Sequence, residues 1–262
     1  MSKPFQVFVF HSNHSRTIAS LDGGVDGVVV DWEFKGKNER QLGYDTQVNC
    51  YNESDIGLLR ETTDKPIICR INGGKHFSAE EIHVALEAGA SEILLPMVTR
   101  LDEIEKALSA INGKAKLDVM IETEEAVTLA AEIGKLPLYR VYVGLNDLSI
   151  SRGTSNIFLP LVDGTLEHVR THIPMDLGVA GLTHPEGGRP LPCRLLMKIM
   201  AKFNLSFSFL RRSFYKDIET YGASEIICAI KSEMAILTKS KLPKDDHKEL
   251  KERILRLWES LI

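Results

Sequence analysis

No CxxC pair occurs among the four cysteines, Cys50, Cys69, Cys193 and Cys228, so neither a zinc knuckle nor a dithiol redox motif is encoded. Reduced, mostly buried thiols are the expectation that remains. Charge of one sign is not in large excess either. The 262 residues carry a formal net charge of −4, without the basic patch that nucleic acid or an anionic membrane requires. Long hydrophobic runs are missing as well. The longest early one, Phe5 to Phe10, falls far short of the ~20 residues of a spanning helix and has no signal-peptide flanks. These absences predict a cytoplasmic protein that acts on a small molecule, with no nucleic-acid and no membrane partner. A GxGxxG after the first β-rich run is also lacking, which argues against an open doubly wound sheet for dinucleotides.

What is present is a regular alternation. Eight β-branched runs recur: FQVFVF (5–10), GVVVDWE (27–33), PIICRIN (66–72), EILLPMV (92–98), LDVMIET (117–123), RVYVGLND (140–147), LGVAGLTH (177–184) and LSFSFLRR (205–212). Segments of helical periodicity follow them, such as the one marked by Ile82, Ala85, Leu86 and Gly89 and the one marked by Ile104, Leu108 and Ile111. Eight such units predict an α/β protein, a single (β/α)8 TIM barrel over residues 1–240. Residues 151–160 and 184–194, rich in Gly, Pro and Ser, are expected to frame its mouth. Residues 241–262 form an additional C-terminal helix. Its stripe of Leu250, Ile254, Leu257, Trp258 and Leu261 exceeds what a finished barrel needs, so it packs either on a neighbouring subunit, the reading adopted here, or back onto its own barrel.

Several runs turn polar at their C-terminal ends, the face on which such barrels carry chemistry. Asp31 and Glu33 close the second, Arg70 and Asn72 the third, Glu122 the fifth, Asn146 and Asp147 the sixth, Arg211 and Arg212 the eighth. Side chains alternate along a strand, so Asp31 with Glu33, and Arg70 with Asn72, can point into the mouth together. Of Arg211 and Arg212 only one faces inward, and Arg212 is assigned to substrate. Two carboxylates on adjacent strand ends call for a cation. Oxygen ligands suit Mg2+, which takes one or two protein carboxylates and leaves its other positions to water and substrate. Glu122 and Asp147 are therefore the candidate metal ligands, with capping of the helix beginning at Thr123 or a salt bridge as the other possibility. Arg70 offers paired donors to a carboxylate or enolate oxygen, unless it serves as a salt-bridge partner to Asp31 or Glu33. His11, His14 and His184 are further candidate bases near strand ends.

The succession VVVDWE, ICRIN, ALEAGASEILLPMV, MIETEEAV and VGLNDLS resembles the HpcH/HpaI aldolase and citrate lyase beta-subunit family over roughly residues 25 to 240. The resemblance implies a metal-dependent carbon–carbon lyase in which Glu122 and Asp147 bind Mg2+, or Mn2+ or Co2+. It further implies that Arg70 lies beside the carbonyl oxygen of a 2-oxo acid or thioester, that main-chain amides around Leu145, Asn146 and Asp147 hold the substrate carboxylate, and that the C-terminal helix is exchanged within a homo-oligomer. The expected reaction passes through a metal-stabilised enolate: cleavage of a 4-hydroxy-2-oxo acid to pyruvate and an aldehyde, or of a 3-hydroxyacyl-CoA thioester. Two departures stand out. Phe34 follows Glu33 where the pyruvate aldolases have a histidine, and DWEFKGKNER keeps Asp31, Glu33, Lys37 and Arg40 of the citrate lyase type without its second aspartate. Glu33 is taken as the catalytic base, with His11 and His14 as substitutes. GLNDLS is also similar to a segment of phosphoenolpyruvate-utilising barrel enzymes, and a non-catalytic carboxylate-binding barrel is the other alternative.

Overall fold

Residues such as Val28, Val29 and Val30, all fully buried, read as an unbroken apolar run because a parallel strand of a barrel is covered on both faces. In the computed structural model, which describes residues 3–35, 52–240 and 246–259, these runs become β1 (Gln6–Phe10), β2 (Gly27–Asp31), β3 (Ile67–Arg70), β4 (Glu92–Leu95), β5 (Lys116–Ile121), β6 (Arg140–Val143), β7 (Asp176–Leu182) and β8 (Phe207–Leu210). Neighbours in sequence pair in parallel, and β1 also pairs with β8, with Phe8 opposite Phe209, so the sheet closes into an eight-stranded barrel. Seven of the eight predicted runs overreach at their C-terminal ends. β6, for example, stops at Val143, and Leu145–Ser151 is already helix. That places Asp147 in the first turn of a helix, one step beyond the expected strand tip.

The helices begin where polar caps stand before amphipathic segments. Asn13 accepts a hydrogen bond from the Arg16 amide, and Asn52 with Asp55 forms a reciprocal capping box. In the helix Leu101–Ile111, Ile104, Ala107 and Ile111 bury one face against the barrel wall. After the eighth unit, the helix Ala223–Lys239 packs on the helix Cys193–Lys202, and a last helix spans Asp246–Glu259. Ile254 of the expected stripe is buried against this chain's own core, with Leu255 beside it. Leu261, and the side chains of Leu250, Leu257 and Trp258, lie outside the described residues, as do Lys37, Arg40 and Cys50. Cys69 and Cys193 are buried free thiols, whereas Cys228 is exposed. No helix among the described residues is long and apolar enough to cross a membrane.

The barrel interior has three layers. A central partition of Phe8, Val29, Ile68, Leu94, Met120, Tyr142, Phe207 and Phe209 forms an apolar cluster of its own, separate from the larger core between barrel and helices. Two residues upstream on their strands, and therefore on the same inward face, come Glu92, Asp118 and Arg140. All three are buried. The Arg140 guanidinium lies 4.4 Å from the Phe8 ring centroid and 5.5 Å from that of Phe207, with its Nε 3.5 Å from Glu92. Two residues downstream of the partition lie Asp31, Arg70 and Glu122, at the opposite end of the barrel.

Candidate active site

Asp31 and Arg70 are register partners on β2 and β3, and the guanidinium closes on the carboxylate through two parallel bonds, Nε to Oδ1 at 2.8 Å and Nη2 to Oδ2 at 2.6 Å. Asp31 Oδ1 also accepts from the Glu33 amide, which curls the chain so that Glu33 Oε2 comes within 3.5 Å of Arg70 Nη1. The expected alternation thus brings Asp31, Glu33 and Arg70 together, and Arg70 does form the salt bridge to both acids. Burial alone would lower the Arg70 pKa, but Asp31, Glu33 and Glu122 hold it well above the usual arginine value. The Phe10 ring lies 5.2 Å beneath the guanidinium.

Asn72 does not join them. Its side-chain amide nitrogen donates to the Trp32 carbonyl and to Glu81, while its oxygen accepts from the amides of Phe34 and Lys35. All of its bonding capacity goes to shaping the loop after β2. The histidines turn elsewhere too: His11 is buried with Nδ1 2.9 Å from the Thr17 hydroxyl, and His184 stacks on Tyr221 at 4.2 Å. Burial lowers the His11 pKa, with Asp55 opposing and His14 reinforcing the shift.

Glu122 follows β5 directly and is buried, with Oε1 accepting from the Met97 amide at 2.9 Å. Capping of the next helix falls to Thr123, whose hydroxyl accepts from the Ala126 amide. Glu122 is therefore free of that duty and turns inward. Burial raises its pKa well above the carboxylate range, and the charges of Asp147 and Glu33 raise it further, against the pull of Arg70 and the Met97 amide. Asp147 is likewise buried. The glycine between the two motifs makes this crowding possible. A β-carbon on Gly144 would stand 2.4 Å from Glu122 Oε2, closer than any real contact allows. Gly144→Ala is expected to displace the Glu122 carboxylate and so to weaken the Mg2+ binding that the sequence predicts by at least about tenfold, measured by calorimetry.

β8 ends at Leu210, before both arginines. Arg211, half-buried, donates from Nε to the Gly181 carbonyl at 2.7 Å and from Nη1 to the Arg189 carbonyl at 3.2 Å. Arg212, assigned to substrate from the sequence, is exposed in the turn after β8. The site is thus a polar rim over an aromatic floor in which Phe10 and Tyr142 contact Phe209 at 5.2 and 4.2 Å between ring centroids.

Solved structures share this barrel. An HpcH/HpaI aldolase/citrate lyase family protein from Burkholderia cenocepacia J2315 superposes with a TM-score of 0.61 at 14% identity, covering 83% of this chain and 91% of that one. The chain resembles this family in structure. An HpcH/HpaI aldolase from Desulfitobacterium hafniense DCB-2 matches with a TM-score of 0.61 at 13% identity over 92% of this chain and 95% of that one. Phosphoribosylanthranilate isomerase from Thermotoga maritima also matches, with a TM-score of 0.53 at 12% identity over 90% and 99%. At such identities the likeness to HpcH/HpaI aldolases establishes the architecture, and the chemistry has to come from the site. No protein-family model matches the chain, and no curated protein matches it.

Proposed function

We propose that this barrel is a divalent-metal-dependent carbon–carbon lyase that forms an enolate on a 2-oxo acid or an acyl thioester. The observation that carries the reading is the buried Glu122 carboxylate at the C-terminal end of β5, crowded by the charges of Asp147 and Glu33 and held in place by the Met97 amide. Among the described residues no cluster of three or more His, Cys, Asp or Glu is arranged to hold a metal. Two carboxylates nevertheless match the way Mg2+, or Mn2+ or Co2+, is bound, with its remaining positions left to water and substrate. Glu122 and Asp147 would hold the ion. When bound, it supplies Lewis acidity toward the substrate carbonyl.

The protein groups do the rest. The helix Leu145–Ser151 leaves the main-chain amides of its first turn without acceptors in the helix, and these face the substrate carboxylate in this reading. Arg70, held on one edge by Asp31, has Nη1 3.5 Å from Glu33 Oε2 and 3.9 Å from Met120 Sδ, and in this reading it donates to the carbonyl oxygen as charge gathers there. A fixed cationic donor in a water-poor site lowers such a barrier by ~3 to 4 kcal/mol. Glu33, 3.5 Å from that nitrogen, takes the proton whose loss accompanies bond cleavage.

Exchange of the pyruvate methyl protons with deuterium in Mg2+ buffer, followed by proton NMR, tests the reading. Metal-dependent exchange is expected. Binding of Mg2+ and pyruvate with no exchange would mark a non-catalytic carboxylate-binding barrel instead. Arg70→Ala should lower turnover about 100-fold while changing Mg2+ affinity less than about threefold, because Arg70 faces the enolate oxygen and not the ion. Comparing kcat with calorimetric Kd for the metal checks this.

A further inference from the structure

On the outer wall of the barrel a pair of imidazoles stands apart from the mouth. In the helix Thr165–His172, Thr165, Leu166 and Val169 are buried, and the neighbouring ridge of His168 and His172 turns outward, the first exposed and the second half-buried. One turn separates them, and side chains at i and i+4 lie one above the other on a helix face. Their rings meet at 4.6 Å between centroids, tilted by 52°. A Zn–N bond of about 2.1 Å puts a ring centroid about 3.2 Å from the metal, so two rings on neighbouring positions of one ion stand about 4.5–5.2 Å apart. The observed separation falls in that range with no movement of the main chain.

The tautomer of one ring is set as well. His172 Nδ1 lies 3.0 Å from the His168 carbonyl oxygen. A carbonyl only accepts, so Nδ1 carries the proton and Nε2 keeps the lone pair. Metal-binding histidines are ordinarily oriented in this way, by donating the other ring nitrogen to a carbonyl or carboxylate. The His168 ring has no hydrogen bond or ion pair among the described residues, so binding an ion releases no competing partner from it. The helix beneath is held firmly at this end. A β-carbon on Gly134 would overlap the His172 carbonyl oxygen, so the glycine after Ala130–Ile133 lets the last turn seat directly upon it. The Arg170 guanidinium donates to the carbonyls of Ile173 and Met175 just beyond the helix. Because the chain then enters β7 at Asp176, the pair lies at the barrel end opposite the mouth.

We infer that His168 and His172 chelate a divalent transition ion, Zn2+, Ni2+ or Cu2+, on the outer wall at the closed end of the barrel, through two imidazole nitrogens and with the remaining positions left to water. Imidazole suits these ions, whereas Mg2+ takes oxygen. The inference is independent of the lyase reading, because the pair lies away from Glu122 and Asp147. A transition ion added to this protein therefore has a place to bind that Mg2+ does not contest.

Calorimetric titration of the full chain with nickel chloride in excess Mg2+ tests this, in a Cys228→Ser background so that the exposed thiol does not compete. The background protein should take up Ni2+ at this pair, and Cu2+ should bind more tightly than Ni2+ or Zn2+, the order that nitrogen sites follow. His168→Ala and His172→Ala should each weaken Ni2+ binding at least about tenfold, since a chelate is reduced to a single ligand, while Glu122→Gln should leave it within about twofold. Hydrogen exchange followed by mass spectrometry locates the ion: Ni2+ should slow exchange in the helix Thr165–His172, and in neither histidine variant. Both side chains face outward, so the variants should melt with the background protein in metal-free buffer. No uptake of Ni2+, an affinity unchanged in both histidine variants, exchange in this helix indifferent to the ion, or binding lost with Glu122→Gln instead would overturn the inference.

Discussion

Glu122→Gln and Asp147→Asn should each abolish Mg2+ binding and reduce enolate formation at least about 100- to 1000-fold, while the protein stays folded. The rate effect follows from removing the charge that would hold a Lewis acid at the carbonyl, a contribution of several kcal/mol to barrier reduction. The lack of damage to the fold follows from the geometry. Gln at position 122 retains an oxygen for the Met97 amide, and it removes a negative charge that Asp147 and Glu33 oppose. In metal-free buffer Glu122→Gln is therefore expected to melt at or above the parent temperature. Parallel thermal scans with and without Mg2+ decide the matter: the parent should gain stability from the ion by mass action, and neither variant should. A variant that unfolds in metal-free buffer but still takes up Mg2+ would show that these carboxylates are structural.

The second large effect lies at the other end of the barrel. Arg140 is the buried cation among Glu92 and Asp118, and its removal leaves two acids in the interior with only Lys116, 4.0 Å from Glu92 and half-exposed, to offset them. Breaking a buried ionic group by deleting one partner costs about 3–5 kcal/mol, a large share of the roughly 5–15 kcal/mol that stabilises a domain. Arg140→Met should accordingly lower Tm by about 6–20 °C, at 2–4 °C per kcal/mol for chains of comparable size, with Mg2+ affinity little changed.

Asp118 supplies a companion test through pH. Burial raises its pKa well above the carboxylate range, the charge of Glu92 adds to this, and Arg140 opposes it. Both Glu92 oxygens and Asp118 Oδ1 meet no donor among the described residues, so a proton held by Asp118 can reach across to Glu92. The folded chain thus holds this proton more tightly than the unfolded chain. The associated stability is fully present below the unfolded value of about 3.9 and is lost as pH rises through the folded one. Asp118→Asn, neutral throughout, should flatten the fall of Tm on the alkaline side, and a parallel fall in variant and parent would count against the shared proton.

The eight strands were legible because parallel barrel strands are apolar on both faces, as Val28, Val29 and Val30 show. Glu122, Asp147 and Arg70 were legible because an apolar run that ends in a charged residue marks the rim of the mouth. Strand ends were less so. GLND carries no local mark that distinguishes the last residues of a strand from the first turn of a helix, which in the fold begins directly after Gly144. The ionic layer of Glu92, Asp118 and Arg140 escaped notice for another reason. Each stands at or near the start of its strand, where a charged residue reads as solvent-facing, and nothing local says that three strands bring them to one point.

The partition between the two polar layers carries a consequence of its own. Phe8, Met120, Tyr142, Phe207 and Phe209 act as an insulating plug: it offers no chain of hydroxyls or carboxylates along which protons could pass from one end of the barrel to the other, since the Tyr142 hydroxyl is turned aside to the Ala180 carbonyl. Ionisation at the closed end is thereby decoupled from chemistry at the open end. An engineer who replaced the lower ionic layer with hydrocarbon of matching volume would be tuning heat tolerance alone, and catalytic pH profiles recorded before and after should superimpose.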